Sequence, residues 1–445
     1  MINASIQELW KSLFSFENPI GCIIEIRRMS QIELLTISSE HASFLTSLYT
    51  EEYSDYPQEL RTQTSLLISS LFSQNLDLVP LFDKFGLFSL VYPLFPNYKI
   101  SSFLHFYAER SFKCARYLIE NGFVSTLINV LSSSLQQIVN DPDENNQVDE
   151  RSERIDNFLD YVLCAGSVCD FSQFEHELLP LGAVLNSIIL NVDDWKIQCE
   201  AINSLSTLLR NIESAAKAFL LSDSFFLIIS PEKCQSNISY LKSIINLFGS
   251  LLRYTEILND RFYETSMKIF SSSINLLKDK CGKNESSESC VKLIANAVAD
   301  GCSENNPNFT KICFKYGIIQ SFFEIFYDDN PWNLKINLFE AILKLFSFGL
   351  PDSNSLKAFL DLGFLDFFVN NISEMCCCNG FAISLTLNSL LTFVNNTNDN
   401  DNSLLIDTLT SEEVEEALDI LLQSDDSEIK YTAQKAESLI HDLVV

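Results

Sequence analysis

Apolar residues along this chain recur at helical spacing, and the stretch from Asp193 to Glu213 shows the rule. Ile197, Ala201, Leu205 and Leu208 repeat every three to four positions, with Ile202 and Leu209 widening the stripe. Asp193 and Asp194 open it, where carboxylates suit free backbone N–H groups and the positive end of the helix dipole. Arg210 stands in the last turn, where a cation suits the negative end. One amphipathic helix is predicted here.

The same letters return downstream. Forty-three residues on, Ile202, Asn203, Leu205, Leu208, Leu209 and Arg210 become Ile245, Asn246, Phe248, Leu251, Leu252 and Arg253. A further 91 residues bring Ile336, Asn337, Phe339, Ile342, Leu343 and Lys344, and Leu387, Asn388, Leu390, Phe393 and Val394 repeat the pattern once more, with Asn395 in place of the cation. Such spacing predicts an array of repeats.

A second pattern alternates with the first. An apolar helix stops at a glycine and another apolar helix follows, at Gly86, Gly122, Gly182, Gly317 and Gly363, with a looser copy without glycine at Ala218–Ile229. Glycine takes positive φ at little cost, so each is expected to be a helix-ending elbow. The unit is therefore helix, elbow, helix, polar loop, helix. Residues 140–156, with seven acidic residues, read as a solvated insert, and residues 280–289 and 395–402 as two further polar loops. Ser411 or Thr410 caps a helix opening on glutamates, and residues 428–443 form an amphipathic closing helix. The expected organisation is a helical cap over 1–57, a repeat array over 58–405 carrying the 140–156 insert, and capping helices over 406–445.

Three helices in about 42 residues, Asn121-Gly122 followed by Phe123, Val124, Leu127 and Leu131, and the run Glu200-Ala201-Ile202-Asn203-Ser204-Leu205 resemble the armadillo repeat, with HEAT repeats close beside it. The resemblance spans about residues 58–443. It implies an all-α, right-handed α-α superhelix of about eight repeats whose third helices line a concave groove.

Charge and cysteine usage narrow the partners. Thirty Lys and Arg stand against 59 Asp and Glu, a formal charge of −29, which repels nucleic acid and anionic membrane. Thirteen scattered cysteines in apolar helical stretches point to buried free thiols in a reducing compartment, the cytoplasm or else the nucleus. The N-terminal stretch lacks a basic start and long apolar core, so no signal peptide is expected, and no uninterrupted apolar run reaches the ~18 residues of a membrane span.

Candidate chemistry is sparse. The four histidines, His41, His105, His176 and His441, share no ligand spacing. Cys376, Cys377 and Cys378 are consecutive, so on a helix they point ~100° apart and do not converge on an ion; they read as small packing residues. Phosphate-cradling and nucleophile-elbow motifs are absent. No catalytic residue, cofactor or metal is expected, and the chain reads as a monomer and not an enzyme.

What remains is a polar stripe. Positions i, i+4 and i+7 share one helix face, which aligns Asn203, Thr207 and Arg210; Asn246, Ser250 and Arg253; Asn337, Ala341 and Lys344; and Asn388, Thr392 and Asn395. The armadillo resemblance places these on the groove, where amides could hold an extended peptide and Arg or Lys could meet its acidic groups. A cation near a helix C-terminus is also favoured with no ligand at all. Nuclear import adaptors of the same family carry Trp and, four residues later, Asn on their third helices; here Asn stands at the Trp place, and Trp195 and Trp332 open helices instead. The expected function is a scaffold binding a protein or peptide in the groove. The alternatives are a nucleocytoplasmic transport adaptor for basic cargo, or a regulator resembling an Hsp70 nucleotide-exchange factor.

Overall fold

The computed structural model describes residues 2–16, 18–50, 57–97, 99–140, 148–254, 258–302, 308–349, 353–396 and 402–444. Among them are 26 α-helices, four short 3-10 turns and no strand. The chain divides into two compact units, Met1–Ala215 and Ala216–Val445.

Unit 1 holds α1 (Ile2–Phe14), α2 (Pro19–Ser30), α3 (Ser39–Ser47), α4 (Pro57–Gln74), α5 (Leu78–Asp83), α6 (Leu87–Val91), α7 (Ser101–Arg110), α8 (Phe112–Glu120), α9 (Phe123–Asn140), α10 (Val148–Val168), α11 (Glu175–Asn191) and α12 (Trp195–Asn211). The third-position helices α4, α7, α10 and α12 pack against one another in chain order. Burial drives this stacking: Phe72 on α4 is closed off by Phe82, Phe103 and Tyr107, all at edge-on angles. Such aromatic pairs contribute about 0.5–1.5 kcal/mol beyond the area they bury.

After α13 (Glu213–Leu221), which spans the division, unit 2 holds α14 (Ser224–Ile228), α15 (Pro231–Ser236), α16 (Ile238–Leu251), α17 (Asp260–Leu277), α18 (Glu285–Gly301), α19 (Asn308–Lys315), α20 (Ile318–Tyr327), α21 (Trp332–Gly349), α22 (Ser353–Asp361), α23 (Phe364–Asn396), α24 (Asn402–Leu409), α25 (Glu412–Leu422) and α26 (Ser427–Val444). Here α16, α18, α21, α23 and α26 form the stack of third helices. Backbone geometry breaks α23 at Asn379 (φ −122°), so it is a second and a third helix run together. By length and composition Phe364–Val394 could cross a membrane, yet 56% of its most apolar window is buried within the protein. Phe364 stacks on Phe346 of α21 at 3.7 Å between ring centres.

Four of the five expected elbows have positive φ: Gly86, Gly122, Gly317 and Gly363. The fifth does not. Gly182 lies inside continuous α11, and a Cβ there would stand 2.9 Å from Leu208 Cδ2, so the glycine serves the close approach of α12. In the looser copy, Asp223 adopts φ +56° and takes the elbow position itself. The acidic insert is also shorter than expected. Residues 148–156 belong to α10; 141–147 lie outside the described residues. Asn284 caps α18 through Ser286 N and Ser287 N, which trims the 280–289 loop likewise. Ser411 caps α25 as expected, accepting from Val414 N.

Three corners ahead of third helices carry a latch. Gln198 of α12, buried, donates from Nε2 to the carbonyls of Ile189 (3.0 Å) and Val192 (2.7 Å) at the end of α11. The Tyr240 hydroxyl of α16 donates to Ile228 O (2.8 Å), and Asn330 Nδ2, just before α21, donates to Ile325 O (2.8 Å). These bonds satisfy carbonyls a helix end leaves open.

Candidate protein-binding face

The local sequence holds α12 firmly. Asp194 Oδ1 accepts from Lys196 N (2.9 Å) and Ile197 N (3.0 Å), and the apolar stripe Ile197, Ala201, Ile202, Leu205, Leu208 and Leu209 is wholly buried. Trp195 opens the helix and is 49% exposed. On the opposite edge Asn203 and Thr207 are half-buried, one turn apart, and Arg210 is exposed.

Asn203 and Thr207 line a cavity of about 490 Å³ whose walls come from α7, the head of α8, α10, the turn after α10, and α12. Its other polar walls include Glu109, Asp170 and Glu200, and its apolar ones Phe112 and Phe171. The Asn203 amide donates to the Glu200 carboxylate, while its Oδ1 is buried and has no hydrogen-bond partner. Burial pushes the Glu109 and Glu200 carboxyls above their ordinary range; for Glu200 the Asn203 bond works against that rise. Asn211 Nδ2 donates to Asp170 Oδ1 (2.9 Å). The rings of Phe112 and Phe171 lie 5.3 Å apart at 43°. A Cβ on Gly166 of α10 would stand 2.8 Å from Ser204 Oγ, so the two helices meet closely beneath the cavity.

In unit 2 the stripe runs over successive third helices. Asn246 on α16, Asn337 on α21 and Asn388 on α23 are each half-buried. Between them, α18 carries Asn296, also half-buried and flanked by buried Ala295, Ala297 and Val298. The sequence reading missed it because small alanines replace the large apolar neighbours seen elsewhere. The other stripe positions are less open. Ser250 is buried, its hydroxyl donating to Asn246 O (2.8 Å). Lys344 Nζ sits 2.7 Å from Glu340 Oε1 with its side chain 17% exposed. Asn337 Nδ2 donates to Asn333 O and Asn388 Nδ2 to Ser384 O, while Thr392, exposed, donates to Asn388 O. Arg253 falls in the 3-10 turn after α16, and its side chain, like that of Asn395, lies outside the described residues.

The cysteines behave in two ways. Ten are buried and Cys302 is half-buried, with burial pushing the Cys281 thiol up to about 11 and those of Cys234 and Cys290 up to about 12. Of the three consecutive cysteines only Cys376 packs inside; Cys377 and Cys378 are exposed, on the face away from buried Met375, Cys376 and Asn379. Among the described residues, no group of three His, Cys, Asp or Glu side chains is placed to hold a metal ion.

No protein-family model matches the sequence, and no curated protein matches it. Solved structures do resemble the fold. Kap95p from a structure of its binding to RanGDP superposes with a TM-score of 0.60 at 11% identity, over 99% of this chain and 53% of that one. Yeast importin-β (Kap95p) superposes at 0.51 and 12% identity, over 99% and 53%. A chain from a structure of the interaction between cadherin and β-catenin superposes at 0.53 and 11% identity, over 98% and 91%. This chain spans about half the length of the importin-β structures. The fold is an armadillo/HEAT-like α-solenoid of stacked helical repeats.

Proposed function

We propose that this protein is a non-enzymatic scaffold that holds an extended segment of a partner protein along the face of its third helices. One observation carries the reading: asparagines recur in the same half-buried register on four successive third helices of unit 2, Asn246, Asn296, Asn337 and Asn388, and Asn203 stands in that register on the cavity wall of unit 1. An amide both donates and accepts, as an extended main chain does. Helices packed roughly 8–10 Å apart would meet such a chain about every third residue, at ~3.3 Å per residue. Asn337 and Asn388 would exchange their bonds to their own helix for bonds to the partner. The solved structures of the same fold, in which Kap95p meets RanGDP and β-catenin meets cadherin, support a protein partner. We place the binding event in the cytoplasm or nucleus, where thirteen free thiols would stay reduced.

The test is selection of a display library of random 12-residue peptides on the full-length protein. Enriched peptides should lose at least tenfold in affinity on the combined variant Asn203→Ala, Asn337→Ala and Asn388→Ala, with its thermal unfolding unchanged within a few degrees. A selection that enriches nothing, or peptides indifferent to the three substitutions, would remove the scaffold reading.

A further inference from the structure

Resting on that reading, we propose that the unit 1 cavity between α7, α10 and α12 receives a cationic side chain, arginine fitting better than lysine, from the partner's extended segment.

Three observations converge. First, Glu109, Asp170 and Glu200 reach one cavity from three different elements, and none of the described residues lining it is basic. Half-buried Glu200 is held at a cost, as its upward shift under burial shows, and Glu109, although exposed, is shifted the same way; a bound cation would lift that cost. Second, Asn203 on the same wall keeps its Oδ1 without a donor just beneath the cavity surface. Carboxylates are the only charged groups among the described residues lining the cavity. A guanidinium supplies five N–H groups in one plane and accepts nothing. Third, the tilted Phe112 and Phe171 rings give the cavity an apolar side, and Phe112 is 58% exposed despite its size. Cations and the alkyl stems that carry them both favour such a face. The occupant's sign follows, since an acidic peptide or a nucleic acid would bring its charge against three carboxylates. The chain's formal charge of −29 would steer a basic segment towards the protein, and the cavity would then select within it.

The experiment uses the peptides selected as above. Basic residues should be enriched in them, and replacing the key arginine with citrulline, its neutral isostere, should weaken binding to the parent protein at least tenfold, read by fluorescence anisotropy. On Glu109→Gln with Glu200→Gln the citrulline penalty should shrink to less than threefold. Neutralising two exposed carboxylates elsewhere, Glu412→Gln with Glu413→Gln, should leave it intact. The glutamines keep the shape of side chains whose charge burial disfavours, so the cavity variant should unfold no earlier than the parent. The inference is overturned if citrulline binds the parent equally well, or if both double variants change the penalty alike, for then only the overall field is felt. It also falls, with the scaffold reading standing, if the selected peptides carry no basic residue yet lose binding on the asparagine variant. If no peptide is enriched, both fall together.

Discussion

Replacing Asp160 with asparagine should tilt the pH dependence of stability in a direction opposite to that produced by replacing His105. Asp160 lies half-buried on α10; burial outweighs the nearby Lys99 cation, Asp156 adds repulsion, and its carboxyl is pushed up to about 7. His105 on α7 is buried against Phe106, and burial pulls its imidazole down to about 4. In an unfolded chain these groups titrate near 3.9 and 6.5. Between those limits the folded protein keeps a proton on Asp160 that the unfolded chain has lost, so this group's contribution rises as pH falls. The folded protein also refuses His105 a proton that the unfolded chain takes, so that contribution falls. At ~1.36 kcal/mol per unit, going from pH 8 to pH 5 adds about 3 kcal/mol through Asp160 and removes about 2 kcal/mol through His105. The two nearly cancel, and the parent should show a flat profile from this pair. Asp160→Asn should therefore lose about 2 kcal/mol between pH 8 and pH 5, and His105→Gln should gain about 3 kcal/mol. Urea unfolding followed by far-ultraviolet circular dichroism at the two pH values reads the slopes, whatever each substitution costs overall. Parallel profiles for the parent and both variants would refute the reasoning.

Brief alkylation of the native protein should label Cys377 and Cys378 first, with Cys302 behind them and the ten buried thiols slowest; peptide mass spectrometry would show otherwise if Cys313 or Cys290 were modified as fast. Gly317→Ala and Gly363→Ala meet open space but need positive φ (+68° and +75°), so each should cost about 1 kcal/mol of backbone strain in a urea titration. Gly349→Ala has ordinary helical geometry but sets a Cβ 2.8 Å from Thr310 Cγ2, and should cost more than either; the reverse order would mean α19 yields easily. Asp194→Ala removes the acceptor for two backbone N–H groups at the head of α12 and should cost about 1 kcal/mol by the same assay.

The repeat was legible because its two signals are local. A periodic apolar stripe and a glycine between two such stripes can be read within twenty residues, and Gly86, Gly122, Gly317 and Gly363 all turn where expected. Gly182 misled because glycine answers two demands, a left-handed backbone and room for a neighbouring helix, and only the partner helix shows which applies. Asp223 hid an elbow because aspartate also tolerates positive φ. The acidic stretch hid the head of α10 because negative charge suits both a solvated loop and a helix start. Asn203 and Thr207 were visible in the sequence as a stripe, but not the cavity they share with Glu109, Asp170 and Phe112. Those residues come from other repeats, and only the stacking of α7, α10 and α12 brings them together.

The latch at Gln198 bears on how the protein would survive a cut. Its amide reaches back from α12 to hold Ile189 and Val192, both upstream of the bend. Scission between Val192 and Asp193 would sever the covalent link and leave those bonds in place. The two fragments should stay assembled after proteolysis at that site, and separately expressed halves divided there should find each other again.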